Sequence, residues 1–402
     1  MALCPPDPTV TGSKEGDMRI MVVTDQYEPM VGGVPRVTSE LARGLAERGH
    51  AVALVVPSLG WRGRRAVTEQ VSVTYRGSLR WPWYEGMRLG CLPAGSARKL
   101  IASFCPDVAH IHSPATLGVM ARIGACQQRV PVVYTNHYLP ANVRGSAAPR
   151  SPLVDALFYR HVVGFSNRCA YVTAPTATAL GLLRERGLRV PSAVLSNGVD
   201  LRRYAPGPPD DRIRQRYGLA AGRPLILSVS RLSPEKRLDV LLDAAARCDV
   251  DAQLAVAGAG PDEARLRARA QRLGLAGQVR FLGFVPGSDL PGLYRLADVF
   301  AIASEAELQS LTTMEAMATG LPVVAVDAYA LGHLVRPGYN GFLARPGQAA
   351  EVAAYLDLLC SDEDLRAQMS AAALRIIGDH ERHRWLAEWE SLYRALASAG
   401  AR

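Results

Sequence analysis

Short apolar runs recur along the chain, separated by segments whose apolar positions repeat at helical spacing. In the first half Ile20–Val23, Ala51–Val56, Val108–His112, Val130–Tyr134 and Ala170–Thr173 read as strands. In the second half Leu225–Val229, Gln253–Ala257, Val279–Leu282, Val299–Ile302 and Val323–Val326 do the same. Arg36–Arg48, Glu263–Leu273 and Asp289–Ala297 lie between them with apolar residues three and four apart, as on one helix face. Alternation of strand and helix predicts α/β domains, each a doubly wound parallel sheet with helices on both faces. Arg202–Asp211 is rich in Pro, Gly and charge and reads as a connection between two such domains.

The predicted boundaries follow. Residues 1–17 lack an apolar core stretch and read as a disordered extension, or as sequence upstream of a true start at Met18; they do not read as a secretory signal. Residues 18–200 form the first Rossmann-like domain, 201–222 a linker, 223–378 the second Rossmann-like domain, and 379–402 a C-terminal helix able to pack back on the N-terminal domain. That tail aligns Trp385, Trp389, Leu392 and Tyr393 on one stripe.

A length of 402 residues is enough for two cores, and 49% apolar with 21% charged residues is ordinary for a globular chain. No run of roughly 18 apolar residues is present, so no spanning helix is expected. Seven scattered cysteines without a Cys-x-x-Cys pair point to a reducing, cytoplasmic compartment and against structural zinc. The net charge of +9 lies wholly in the chain up to Asp200, which carries 22 Arg and Lys against 13 Asp and Glu. Such a face suits an anionic partner: nucleic acid, a membrane surface or an acidic substrate. No recognised nucleic-acid motif accompanies it, so nucleic acid is set aside. Lys14, Lys99 and Lys236 are the only lysines among 46 basic residues, an Arg bias expected of a GC-rich genome.

The densest chemistry lies in Ser304–Ala325. Glu307 and Glu315 sit eight positions apart across a loop that runs into the helical word Met314–Ala318. A loop-to-helix start presents backbone N–H groups and the positive dipole end, which suit anionic oxygens. By themselves the two glutamates can equally be exposed helix-start carboxylates. A second cluster, Ser230–Arg237, follows a strand and offers Arg231 and Lys236 to a diphosphate, or to solvent as a plain ion pair. Gly32 and Gly33 permit close approach of the backbone to a ligand. Gly258-Ala-Gly-Pro261 imitates a dinucleotide fingerprint but lacks its third glycine. His137 follows a strand and can be a site residue or a satisfied structural histidine. His110 and His112 alternate along a strand and are expected to face opposite ways, and with no third ligand in sight a metal pair is not expected. Asp249-Val-Asp251 spells a metal-binding Asp-x-Asp, but it precedes a strand instead of following one, so no metal site is assigned. Ser361–Asp364 reads as a helix start.

Taken together these motifs resemble the retaining nucleotide-sugar glycosyltransferases of the GT-B fold, in glycosyltransferase family 4, from Met18 to about Trp389. The resemblance implies two Rossmann-like domains facing across a cleft and transfer of a hexose from a nucleoside diphosphate sugar, UDP-sugar favoured over GDP-mannose, with no further cofactor. It implies catalytic roles for Glu307, His137, Arg231 and Lys236. Donor contacts would come from Gly32, Gly33, Arg231, Lys236, Gly258, Phe284, Val285, Glu307, Gln309, Ser310, Leu311 and Glu315, with Glu315 on the ribose, Glu307 on the sugar, and backbone near Gly283-Phe284-Val285 on the base. Ser230 stands where the family usually has Gly, and Leu308-Gln309-Ser310 where it often shows Gly-Phe-Gly. The family mechanism has no obvious nucleophile, so front-side attack with the leaving phosphate taking the proton is expected.

The acceptor belongs to the N-terminal domain in this resemblance, with His112, Trp81 and Trp83 as candidates. Trp61–Arg65 and Arg80–Tyr84 with Arg88 combine aromatics and arginines. They suit an anionic membrane surface and a lipid acceptor, with the protein peripheral on the inner face. They equally suit stacking on a sugar or cyclitol, or form a plain loop. An epimerase on this fold would need a further carboxylate pair, which is not found, and a non-catalytic binding protein would not need the intact set.

Overall fold

The structure, a computed structural model, describes residues 17–68, 70–81, 87–140 and 151–400. Residues 1–16 of the expected extension, and Trp83, lie outside the described residues. The chain divides into two compact units: one runs to Ser196 and resumes at Trp385, and the other is Asn197–Arg384.

The first unit carries strands β1 (Arg19–Val23), β2 (Ala51–Pro57), β3 (Arg64–Thr68), β4 (Val71–Arg76), β5 (Ser78–Arg80), β6 (Arg88–Gly90), β7 (Val108–Ile111), β8 (Val132–Thr135), β9 (Tyr171–Ala174) and β10 (Ser192–Val194). Eight of them form one sheet in the order β10-β9-β8-β7-β1-β2-β4-β3, and β5 and β6 pair separately. All pairings in the large sheet are parallel except β3 with β4. The central strands β1 and β2 are buried at every position but the first, which is why they read as unbroken apolar runs and not as alternation. The edge strand β3, Arg-Arg-Ala-Val-Thr, is largely exposed and gave no such signal. The helix Gly33–Glu47 lays Val37, Leu41 and Leu45 on the sheet, one every fourth residue.

The second unit has β11 (Leu225–Val229), β12 (Gln253–Ala257), β13 (Val279–Gly283), β14 (Val299–Ile302), β15 (Val323–Val326) and β16 (Gly341–Ala344), all parallel, in the order β13-β12-β11-β14-β15-β16. This is the doubly wound order, with the sheet growing one way from β11 and the other way from β14. Phe300, Tyr294 and Met314 are completely buried in its core, each contributing about 1.5–3 kcal/mol through burial.

Three expectations change. The segment 201–222 is not a free linker. It holds the helix Asp211–Tyr217 and places Tyr204, Ile213 and Leu219 in the second core, because its apolar residues find partners there despite the Pro-rich surroundings. The C-terminal helix, Arg382–Gly400, buries Trp385, Leu386, Trp389, Glu390 and Tyr393, whereas Leu392 is only half-buried. Its Glu390 accepts from Arg48 Nε at 2.8 Å and lies 2.9 Å from His50 Nε2, tying the helix to the first unit. Ser361 ends one helix, and Asp362 caps the next by accepting from the Leu365 N–H at 2.8 Å. Among the described residues no helix is long and apolar enough to cross a membrane.

Candidate active site

In the second unit the doubly wound rule points to the carboxyl ends of β11 and β14, where the sheet reverses its direction of growth. The loop after β11 is Ser230–Arg237, with one 3-10 turn at Pro234–Lys236. The loop after β14 runs to Ser310, which starts the helix Leu311–Ala318. The Glu305 N–H donates to the Glu235 carbonyl at 3.1 Å and stitches the loops together. Side chains then pair across the stitch. Lys236 Nζ donates to Glu307 Oε1 at 2.6 Å, and Arg237 pairs with Glu305. Within the first loop Arg231 Nη2 donates to Glu235 Oε1 at 3.0 Å and Ser233 Oγ donates to the same oxygen at 2.6 Å. Burial pushes the Glu235 carboxyl up, but the Ser233 hydroxyl and the Arg231 and Lys236 cations hold it below the usual carboxylate range. The side chains of Lys236 and Glu307 are only 20% and 13% exposed, so the pair is shielded, unlike a solvated surface bridge.

Glu315 is 2% exposed, which rules out an exposed helix-start carboxylate. Helical side chains lean towards the helix N-terminus, and its Oε2 is met by Tyr294 Oη at 2.9 Å, which also lies 3.2 Å from the Thr312 carbonyl. Tyr294 is a partner that the sequence did not disclose; it belongs to a helix, Leu290–Leu296, remote in the chain.

The other donor candidates divide between backbone and side chain. Ser310 Oγ is buried as the helix cap, accepting from the Thr313 N–H at 3.2 Å. Gln309 Oε1 accepts the Asn197 N–H at 2.7 Å, so that end of the side chain secures the loop. Leu311 is half-buried at the first helical position. Phe284 is 59% exposed beside Val285, which is buried in the core and offers only its backbone. Gly258 has φ +140°, and a Cβ there would stand 1.9 Å from the Ser230 carbonyl oxygen. The turn after β12 therefore packs backbone to backbone on the loop that carries Arg231.

In the first unit the corresponding point lies between β1 and β7. Gly32 and Gly33 follow β1, are exposed, and start the helix Gly33–Glu47 without a side-chain cap. His112 follows β7 and His137 follows β8. Contrary to the expectation of opposite faces, His110 and His112 lie together, ring centroids 3.9 Å apart, because residues two apart on a strand share a face. His112 Nδ1 is 2.9 Å from His137 Nε2. His110 is held at both nitrogens, 2.6 Å from Tyr393 Oη and 2.6 Å from Thr135 Oγ1. Burial lowers all three pKa values, that of His137 to about 4, so the cluster is neutral at physiological pH. His112 has no solvent exposure, so it does not present its ring at a surface for an acceptor. Trp81 is half-buried, and its backbone N–H donates to the Met87 carbonyl at 2.9 Å.

A further buried group went unnoticed in the sequence. Asp25, directly after β1, accepts the Leu117 N–H at 3.1 Å and the Gly90 N–H at 3.2 Å, and so caps the helix Thr116–Gln127 from a distance.

The family description "Glycosyltransferase Family 4" matches residues 31–203, and "Glycosyl transferases group 1" matches residues 209–375. The chain is 31% identical over 398 residues to the D-inositol 3-phosphate glycosyltransferase of Geodermatophilus obscurus, covering 92% of this chain and 84% of that one. It is 30% identical over 333 residues to the GDP-mannose-dependent alpha-mannosyltransferase of Mycolicibacterium smegmatis, covering 81% and 84%. The fold is shared with the Anabaena protein HepE, solved in complex with UDP and glucose, at a TM-score of 0.76 and 24% identity over 93% of this chain and 99% of that one. With its two parallel-sheet Rossmann-like units, this chain is a GT-B hexosyltransferase and belongs to glycosyltransferase family 4.

Proposed function

We propose that the protein moves a hexose, with retention, from a nucleoside diphosphate sugar to a hydroxyl of a lipid acceptor at an anionic membrane surface. The observation that carries the donor half is the Lys236–Glu307 pair, which brings a cation for the diphosphate and a carboxylate for sugar hydroxyls to one point at the sheet's reversal. Arg231, held by Glu235, adds a second cation, and the N-terminus of Leu311–Ala318 adds oriented N–H groups. In this reading Glu315 holds the ribose, Gly258 shapes the loop carrying Arg231, and the backbone at Phe284 and Val285 meets the base. His137 binds an outer hydroxyl of the sugar. Charge developing on the leaving phosphate is stabilised by Arg231 and Lys236, and that phosphate takes the acceptor's proton.

The lipid reading is supported by the first unit's surface. Trp61 and Leu59 are 68% and 67% exposed, next to the exposed Arg62, Arg64 and Arg65. Aromatic and aliphatic side chains interleaved with arginine favour an anionic headgroup layer. The relative acting on inositol 3-phosphate favours the soluble cyclitol alternative, with the same donor chemistry. The GDP-mannose-dependent relative supports GDP-mannose as a donor as well as the UDP-sugars favoured above.

The test is a panel of UDP- and GDP-hexoses with a diacylglycerol or phosphatidylinositol acceptor in anionic vesicles, and with soluble inositol phosphate. Nucleoside diphosphate release that requires the vesicle-borne acceptor, and a product with the donor's anomeric configuration, are expected. Transfer to the soluble acceptor alone, or inversion at the anomeric carbon, would overturn the corresponding half.

A further inference from the structure

His112 is completely buried, and its Nε2 has no hydrogen-bond partner among the described residues. Its Nδ1 is engaged with His137 Nε2 at 2.9 Å, and the planes of the two rings lie within 10° of parallel. One proton sits between these nitrogens, and either ring can own it. If His137 Nε2–H donates, the proton of neutral His112 must lie on its Nε2, as a buried N–H without an acceptor. If His112 Nδ1–H donates, Nε2 is left as a bare lone pair. Buried orphaned N–H groups are the rarer case, because a donor loses its whole hydration when unpaired. A doubly protonated His112 is excluded by its burial beside two more imidazoles.

We propose that His112 is a positioning residue that donates from Nδ1 to His137 Nε2 and fixes His137 as the Nδ1–H tautomer. The one nitrogen of His137 that makes no hydrogen bond within the described residues is then a donor, and at neutral pH it binds a sugar hydroxyl through that hydroxyl's oxygen lone pair. His112 cannot swing away. Its ring lies on His110, which is locked between Tyr393 and Thr135 and flanked by Trp389 at 4.5 Å between ring centroids. Thr135 is secured in turn by Thr173 at 2.7 Å. The C-terminal helix thus backs a chain of fixed groups that ends at His137. The inference deepens the reading of His137 as a sugar contact and rests on it.

Protein labelled with nitrogen-15 in histidine reports the tautomer of each ring through its two-bond proton–nitrogen couplings. His112 and His137 are expected as Nδ1–H tautomers, the less common form of a solvated histidine side chain. In kinetics, His112→Phe is expected to lower kcat about tenfold or more, with His137 losing its fixed tautomer signature. His112→Asn places an amide donor where Nδ1 stood and is expected to recover activity to within about threefold of wild type. A wild-type spectrum with His137 as the Nε2–H tautomer overturns the proposal, whether or not the Phe variant folds. Wild-type kcat in a folded His112→Phe protein overturns it too. His137→Ala with full activity would instead remove the sugar-contact reading and leave the tautomer result intact.

Discussion

Lys236 Nζ stands 2.6 Å from Glu307 Oε1, and this ion pair joins the loop after β11 to the loop after β14. The two residues are 71 positions apart in sequence, so only the strand order brings them together. Both are mostly shielded from solvent, and neither is needed to fill a core. In the proposed reading the pair parts when the donor binds, the cation turning to phosphate and the carboxylate to hydroxyls.

Gly258→Ala tests whether the turn after β12 positions Arg231. Its Cβ would meet the Ser230 carbonyl at 1.9 Å, and the φ of +140° is one that L residues rarely adopt. Backbone faces it, so relief requires the Ser230–Leu232 segment to move. Urea denaturation is expected to show a loss of about 3 kcal/mol or more, with kcat falling alongside.

Tyr294→Phe removes the hydroxyl at 2.9 Å from Glu315 Oε2 and leaves a buried carboxylate short of a donor. A loss of about 1–3 kcal/mol is expected. If Glu315 holds the ribose, KM for the donor rises several-fold while kcat changes little, as steady-state kinetics will show. An unchanged KM would argue against that role.

Asp25 gives the first unit a pH signature. Burial raises its carboxyl from 3.8 to about 6, outweighing the hydrogen bonds from Leu117, Gly90, Thr116 and Gly118. Between those two values the folded protein keeps a proton that the unfolded chain has released. Asp25 therefore adds stability as the pH falls from about 6 towards 3.8, and loses that contribution as the pH rises through 6. The stability of wild type relative to Asp25→Asn should increase between pH 7 and pH 4.5 in parallel denaturation series. A difference independent of pH would show that Asp25 does not titrate in this way.

Much of the fold was legible because the central parallel strands are buried on both faces and must be apolar throughout. Strands β3, β4, β5, β6, β10 and β16 were not, being short, partly exposed or interrupted by polar residues, Gly or Arg. The residues of the proposed donor site, Glu307, Glu315, Arg231 and Lys236, sit in compact local words, and the structure brings Lys236 and Glu307 together. What spacing could not give was the partner of each: Tyr294 for Glu315, Glu235 for Arg231, and Asn197 for Gln309. His110 and His112 depart from the expectation of opposite faces because residues two apart on a strand repeat one face. The Pro-rich segment 201–222 hid Tyr204 and Ile213, whose burial depends on tertiary partners.

The central claim, that the loops after β11 and β14 form the donor site, is tested most directly by donor turnover in Lys236→Ala and Glu307→Ala. Release of nucleoside diphosphate should fall at least about 100-fold in each, with circular dichroism and melting close to wild type. Turnover within about threefold of wild type in both folded variants would contradict it.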